Sequence, residues 1–81
     1  MSDVKLYCVD DWEALYVNGS VVEQGNQIPR LDMLQHSKTF NFTDEDIECI
    51  ELEYDTPGQI YVYEYGCFPD ELSELLKIIN S

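Results

Sequence analysis

Between Asp44 and Asp55 the chain carries seven carboxylates in twelve residues: Asp44, Glu45, Asp46, Glu48, Glu51, Glu53 and Asp55. No base interrupts them, and from Thr39 to Leu76 there are eleven acids and no Lys or Arg, with Lys38 and Lys77 at the two borders. Carboxylates at this density can hold a divalent cation or meet the Lys and Arg of another protein. The cation reading fails where geometry is strictest. If Asp44 opens a calcium loop, Asp46 is third and Glu48 fifth, but Cys49 takes the sixth position, where the turn needs Gly, and Asp55 replaces the closing Glu. Nucleophilic chemistry would have to draw on Cys8, Cys49, Cys67 and His36, with Cys67 or Cys8 attacking and His36 as base. His36 stands beside Ser37 at a predicted helix end, where a histidine is a surface residue or a dipole partner. Gly19, Gly25, Gly58 and Gly66 all suit turns or caps, and none belongs to a phosphate-binding loop. The residues therefore predict a protein that is not an enzyme and needs no metal or other cofactor. They leave the carboxylates as the chemistry to be explained.

Holding them together is costly. Carboxylates two positions apart on a strand are about 6.7 Å apart, which in water gives roughly 0.6 kcal/mol of repulsion per pair before screening. The net charge is -13 over 81 residues. A chain this short forms one domain, residues 1–81, with a total stability of roughly 4 to 12 kcal/mol. The same charge disfavours nucleic acid and anionic membrane as direct partners and favours a basic protein surface. Forty-four per cent of the residues are hydrophobic and ten are aromatic, so the chain should fold. No apolar run has the length of a membrane span, and residues 1–20 lack the pattern of a secretion signal. Three widely spaced cysteines predict reduced thiols and a cytoplasmic location.

The elements that would position the acids can be read from periodicity. VKLYCV, residues 4–9, predicts a strand with Val4, Leu6 and Cys8 on one face and Lys5, Tyr7 and Val9 on the other. Asn18-Gly19 between β-rich runs predicts a type I′ hairpin of residues 13–17 and 20–24, closed by Gly25. Pro29 with Ile28, Leu31, Leu34 and Gln35 predicts a short helix broken at Ser37 and Lys38. Pro69, then Asp70 and Glu71 before a Leu72, Leu75, Leu76, Ile79 stripe, predicts a C-terminal helix.

The acidic segment predicts a helical turn near residues 43–47 and then a hairpin of 48–54 with 59–65, turning at Thr56-Pro57-Gly58. The register would pair Tyr54 with Ile60 and Leu52 with Val62 on a core face. Glu53 would then oppose Tyr61, and Glu51 would oppose Tyr63. The resulting fold class is α+β, a small antiparallel sheet of hairpins packed with two helices. Tyr61, Tyr63 and Tyr65 would either underlie the C-terminal helix or form an open binding face beside the acids.

The opening stretch DDWEALYVNGSVVEQGNQI, through Asp11, Trp12, Glu13, Leu15, Tyr16, Val17, Gly19, Gly25 and Ile28, resembles short acidic proteins of phage and prophage origin. In size and charge the chain is also similar to anti-CRISPR and anti-restriction inhibitors, some of which present acid where their target expects nucleic acid. That resemblance implies an inhibitor acting in a bacterial host cell as a nucleic-acid mimic. Its partner would be the basic site of a nuclease or CRISPR effector, a protein that itself binds nucleic acid. The expected contact residues are Asp44, Glu45, Asp46, Glu48, Glu51, Glu53, Asp55, Tyr61, Tyr63 and Glu64. The alternative is a small acidic interaction or assembly module, a homodimer through the tyrosine face or an open sheet edge, whose charge mainly confers solubility.

Overall fold

Residues 3–80 are described by a computed structural model. The order of elements is β1 (Val4–Val9), β2 (Trp12–Val17), β3 (Ser20–Asn26), α1 (Arg30–Phe40), a 3-10 turn (Asp44–Asp46), β4 (Ile47–Glu51), α2 (Pro57–Tyr65) and α3 (Leu72–Ile79). The fold is α+β. Its sheet is mixed where an antiparallel one was expected: the strand order is β3-β2-β1-β4, and β4 runs parallel to β1. Three α-helices cover it where two were expected.

The β2–β3 turn forms as its sequence requires. Asn18 and Gly19 have φ of 53° and 90°, the two positive values of a type I′ turn, whose twist matches the flanking strands. Gly25 continues β3 opposite Glu13 and does not close it. Pro29 precedes α1, but Ser37 and Lys38 do not break that helix. It runs on to Phe40 and ends at Asn41, left-handed at φ 58°, whose N–H bonds the Ser37 carbonyl. The expected turn after Thr43 is the 3-10 turn, where the Asp46 carboxylate accepts the Thr43 N–H at 2.8 Å.

The predicted hairpin of residues 48–54 and 59–65 is absent. β4 stops at Glu51, and QIYVYEY is the body of α2. None of the pairs Tyr54–Ile60, Leu52–Val62, Glu53–Tyr61 and Glu51–Tyr63 exists as a strand register. Two physical reasons favour the helix. Asp55, at φ 66°, turns the chain, and Pro57 then occupies a first-turn position where its missing N–H costs nothing. Gly66, at φ 75°, ends the helix by donating its N–H to the Val62 carbonyl. Packing supplies the rest: Val62 is buried, and Gly58 lets α2 approach so closely that a Cβ there would lie 2.8 Å from Leu52 Cδ1. β-propensity is a weak preference and yields to burial of this kind.

Both faces of the sheet are covered. Val4, Leu6, Leu15, Val17 and Phe42 form one core, joined by Ile28, Met33 and Phe40 from the α1 side. Tyr7, Val9, Ala14 and Tyr16 form the other with Val62, Phe68, Leu72 and Leu75. This explains why both alternating halves of β1 are largely apolar. α3 begins at Leu72 and not at Pro69, because residues 70–72 lie along β3: the Val21 N–H bonds the Asp70 carbonyl and the Leu72 N–H bonds the Gly19 carbonyl, each at 2.8 Å. That contact covers the start of one sheet edge. The other edge is β4.

Candidate functional site

β4 carries the acidic segment along the sheet edge. The Leu52 N–H bonds the Cys8 carbonyl, so the parallel ladder turns the backbone groups of Glu48, Ile50 and Leu52 toward β1. Those of Cys49 and Glu51 point outward, with no hydrogen-bond partner among the described residues. Side chains alternate about this edge. Ile50 packs into the core beneath α2 and α3, and Ile47 into the core beneath α1. Glu48 and Glu51 thus leave opposite faces of one strand. Because β4 ends at Glu51, the expected strand of residues 48–54 does not continue through Glu53.

The seven carboxylates have three different environments. Asp46 is occupied at the turn by Thr43. Glu48 bonds the Lys5 ammonium at 3.3 Å, and that contact, aided by Asp3, holds Lys5 above its ordinary pKa. The side chains of Asp44, Glu45, Glu51, Glu53 and Asp55 make no hydrogen bond or ion pair among the described residues, and all five are exposed. The fold therefore leaves most of this charge uncompensated.

The tyrosines do not form a row. Tyr61 and Tyr65, one helical turn apart, stack with ring centroids at 4.5 Å. Tyr63 projects from another side of α2 and is 61% exposed. With Tyr54, Asp55, Ile60 and Glu64 it lines an open groove of about 630 Å³. Gln59, buried beneath that groove, accepts the Asp55 N–H at 3.1 Å and fixes the loop to the helix. Tyr63 also walls a neighbouring groove of about 460 Å³ with Asp10, Asp11 and Trp12. The structure thus brings Asp55, Tyr63 and Glu64 together. Tyr54, Ile60, Asp10, Asp11 and Trp12 were missed by sequence reasoning. The i, i+3, i+4 spacing of Ile60, Tyr63 and Glu64 between Pro57 and Gly66 was the available signal for part of this group.

The other reactive groups are separate from these grooves. His36 Nε2 lies 2.6 Å from Glu23 Oε1, and no hydrogen bond among the described residues joins it to a thiol. Burial, followed by the charge of Glu13, pushes the Cys8 thiol up to about 11, opposite to the shift that activates a cysteine. Cys49 and Cys67 are exposed. Among the described residues no three His, Cys, Asp or Glu side chains are placed to hold a metal ion, and no helix is long and apolar enough to cross a membrane.

The Cys8 environment has a measurable consequence at alkaline pH. A thiol whose folded pKa exceeds its unfolded value near 9 favours the fold fully below pH 9 and loses that contribution as pH rises toward 11. Tyr16, also raised by burial, adds to the loss from about pH 10 upward. Urea titrations should show stability falling across pH 9 to 11, and Cys8→Ala should flatten the earlier part of the fall. An identical pH slope in that variant would show that the thiol is not held neutral by the fold.

No family model, curated protein or solved structure matches the chain.

Proposed function

We propose that this protein is a non-enzymatic inhibitor that occupies the basic, nucleic-acid-binding surface of another protein, acting as a nucleic-acid mimic. The setting in which such an activity is useful is the bacterial cytoplasm, against a defence nuclease or CRISPR effector. One observation carries the reading: Asp44, Glu45, Glu51, Glu53 and Asp55 are exposed and unpaired around an edge strand, in a segment with no base of its own. Charge that the fold does not neutralise is available to a partner. A DNA strand presents one charge per roughly 3.4 Å of axis, and these five acids do not form an even row along one strand face, so they would meet only a subset of phosphate-contacting Lys and Arg.

The open backbone of Cys49 and Glu51 also suits self-assembly through β4, the second reading. Pairing two copies there would bring the exposed acids of both segments onto one sheet with no base between them, and like charges brought close are unfavourable. The charge pattern favours a basic partner over a second copy.

Affinity capture from a bacterial lysate at about 150 mM salt, with duplex DNA as competitor, tests this directly. The expected result is a nucleic-acid-binding protein that DNA displaces and that a Glu51→Lys, Glu53→Lys variant fails to retain while still unfolding cooperatively. Undiminished capture by that variant would end the mimicry reading. Recovery of only this chain itself would replace it with self-assembly.

A further inference from the structure

We infer that the groove beside Tyr63 on α2 is an arginine-binding subsite, taking a protein segment that presents Arg next to an aliphatic residue. The inference rests on the reading above in that its ligand belongs to a basic protein, but of its residues only Asp55 is shared with the acids that carry that reading. Tyr54, Ile60 and Tyr63 are 85%, 47% and 61% exposed and place three large apolar side chains together at the surface. They are three walls of one groove, and Asp55 and Glu64 stand among them. None of the four Lys and Arg residues of the chain lines this groove or its neighbour across Tyr63.

The composition selects the occupant. An apolar ligand alone would leave Asp55 and Glu64 desolvated without a partner. A second copy docked on the same face would bring Asp10, Asp11, Asp55 and Glu64 against their own equivalents, with no base between them. A basic segment satisfies both kinds of surface, because a long cationic side chain lays its stem on apolar surface and carries its charge to a carboxylate. Arginine fits better than lysine. Its planar guanidinium stacks on a tyrosine face and bonds a carboxylate through two parallel N–H groups, whereas an ammonium can do only one of these well. The loop and helix that build the groove are tied together through Gln59, so its walls are held in place before a ligand arrives.

Two short peptides of equal charge test the assignment, one alternating arginine with leucine and the other lysine with leucine, titrated by fluorescence anisotropy at about 50 mM salt. The arginine peptide should bind about tenfold more tightly. Its amide shifts should centre on Ile60, Tyr63 and Glu64. Tyr54→Ser with Tyr63→Ser should abolish the preference and leave weak binding of both peptides, while Tyr63→Phe, which retains the ring, should keep it. Both positions are exposed, so circular dichroism and urea unfolding should match the parent protein. Equal affinity for the two peptides, a preference that survives in the double serine variant, or shifts confined to β4 would each overturn the subsite. An arginine preference that persists in Glu51→Lys, Glu53→Lys protein supports the subsite even where lysate capture fails. Capture by DNA-competed targets that ignores the tyrosine substitutions leaves the mimicry reading intact and refutes the groove.

Discussion

Phe68→Ala should cost about 3 to 5 kcal/mol of folding stability, seen as a fall in the urea midpoint with little change in slope. The side chain is 1% exposed and sits where the α2–α3 connection meets the sheet, its ring 6.4 Å from that of Tyr7. Val62, Leu72 and Leu75 belong to the same core and come from both helices, so the vacated volume cannot be filled without moving an element. Set against a total of roughly 4 to 12 kcal/mol, the loss would leave the variant marginal at room temperature. Leu31→Ala is the matching control: Leu31 is 78% exposed on α1, and its removal should change stability by about 0.5 kcal/mol or less. A cost below about 1.5 kcal/mol at Phe68 would contradict the burial of the connection and, with it, the placement of α2 and α3 on one face.

What the sequence disclosed was decided by local chemistry. Asn18-Gly19 can adopt its two positive φ values whatever surrounds it, so the β2–β3 hairpin was legible from a dipeptide. The turn after Thr43 and the leucine stripe of α3 are similarly local. The segment 57–65 was not, because its β-branched and aromatic residues report how a side chain fits a surface and do not by themselves determine a backbone. The informative residues were the ones at its ends. Pro57 and Gly66 bracket a nine-residue helix, but Thr56-Pro57-Gly58 reads equally well as a hairpin turn until Gly58 is seen against Leu52 and Ile79. The parallel pairing of β1 with β4 was beyond reach for a different reason: nothing in Ile47–Glu51 records which distant strand it will meet.

The candidate surface was legible in composition and not in geometry. The excess of acid and the absence of Lys and Arg from residues 39–76 are properties of the sequence, and the proposal of a basic partner starts from them. Which acids remain available depends on neighbours that are distant in sequence. Lys5, 43 positions away, engages Glu48, whereas Glu51 three residues later has no such partner. The groove at Tyr63 depends on the helix that the strand reading excluded. On a strand, Tyr61, Tyr63 and Tyr65 share a face; on α2, Tyr61 stacks with Tyr65 and Tyr63 turns toward Tyr54 and Ile60.

Gln24→Ala should cost about 2 to 4 kcal/mol, a loss usually associated with large apolar side chains, because one amide joins three groups that have no other hydrogen-bond partner among the described residues. Its Oε1 accepts both the Phe68 N–H at 2.7 Å and the Trp12 Nε1–H at 3.1 Å, while its Nε2 donates to the Phe68 carbonyl at 3.1 Å. A shift of register makes this possible. Leu15 lies opposite Glu23 but Tyr16 lies opposite Val21, so Val22 is an extra residue that reverses the alternation of β3. Glu23 then reaches His36 on the α1 side, and Gln24 reaches Phe68 on the other. Gln24→Glu separates the amide's two roles. The carboxylate can still accept from Phe68 and Trp12, but it cannot donate and it sets a charge against the Phe68 carbonyl. Burial should raise its folded pKa above the unfolded value near 4.3, so that the protonated form suits the fold and stability is recovered as pH falls through the raised value. A Gln24→Ala cost near that of an exposed site, or a Gln24→Glu protein with the pH dependence of its parent, would remove the joint from the account. If the joint holds, Trp12, which lines the neighbouring groove across Tyr63, keeps its orientation through the same amide that fixes the α2–α3 connection to the sheet.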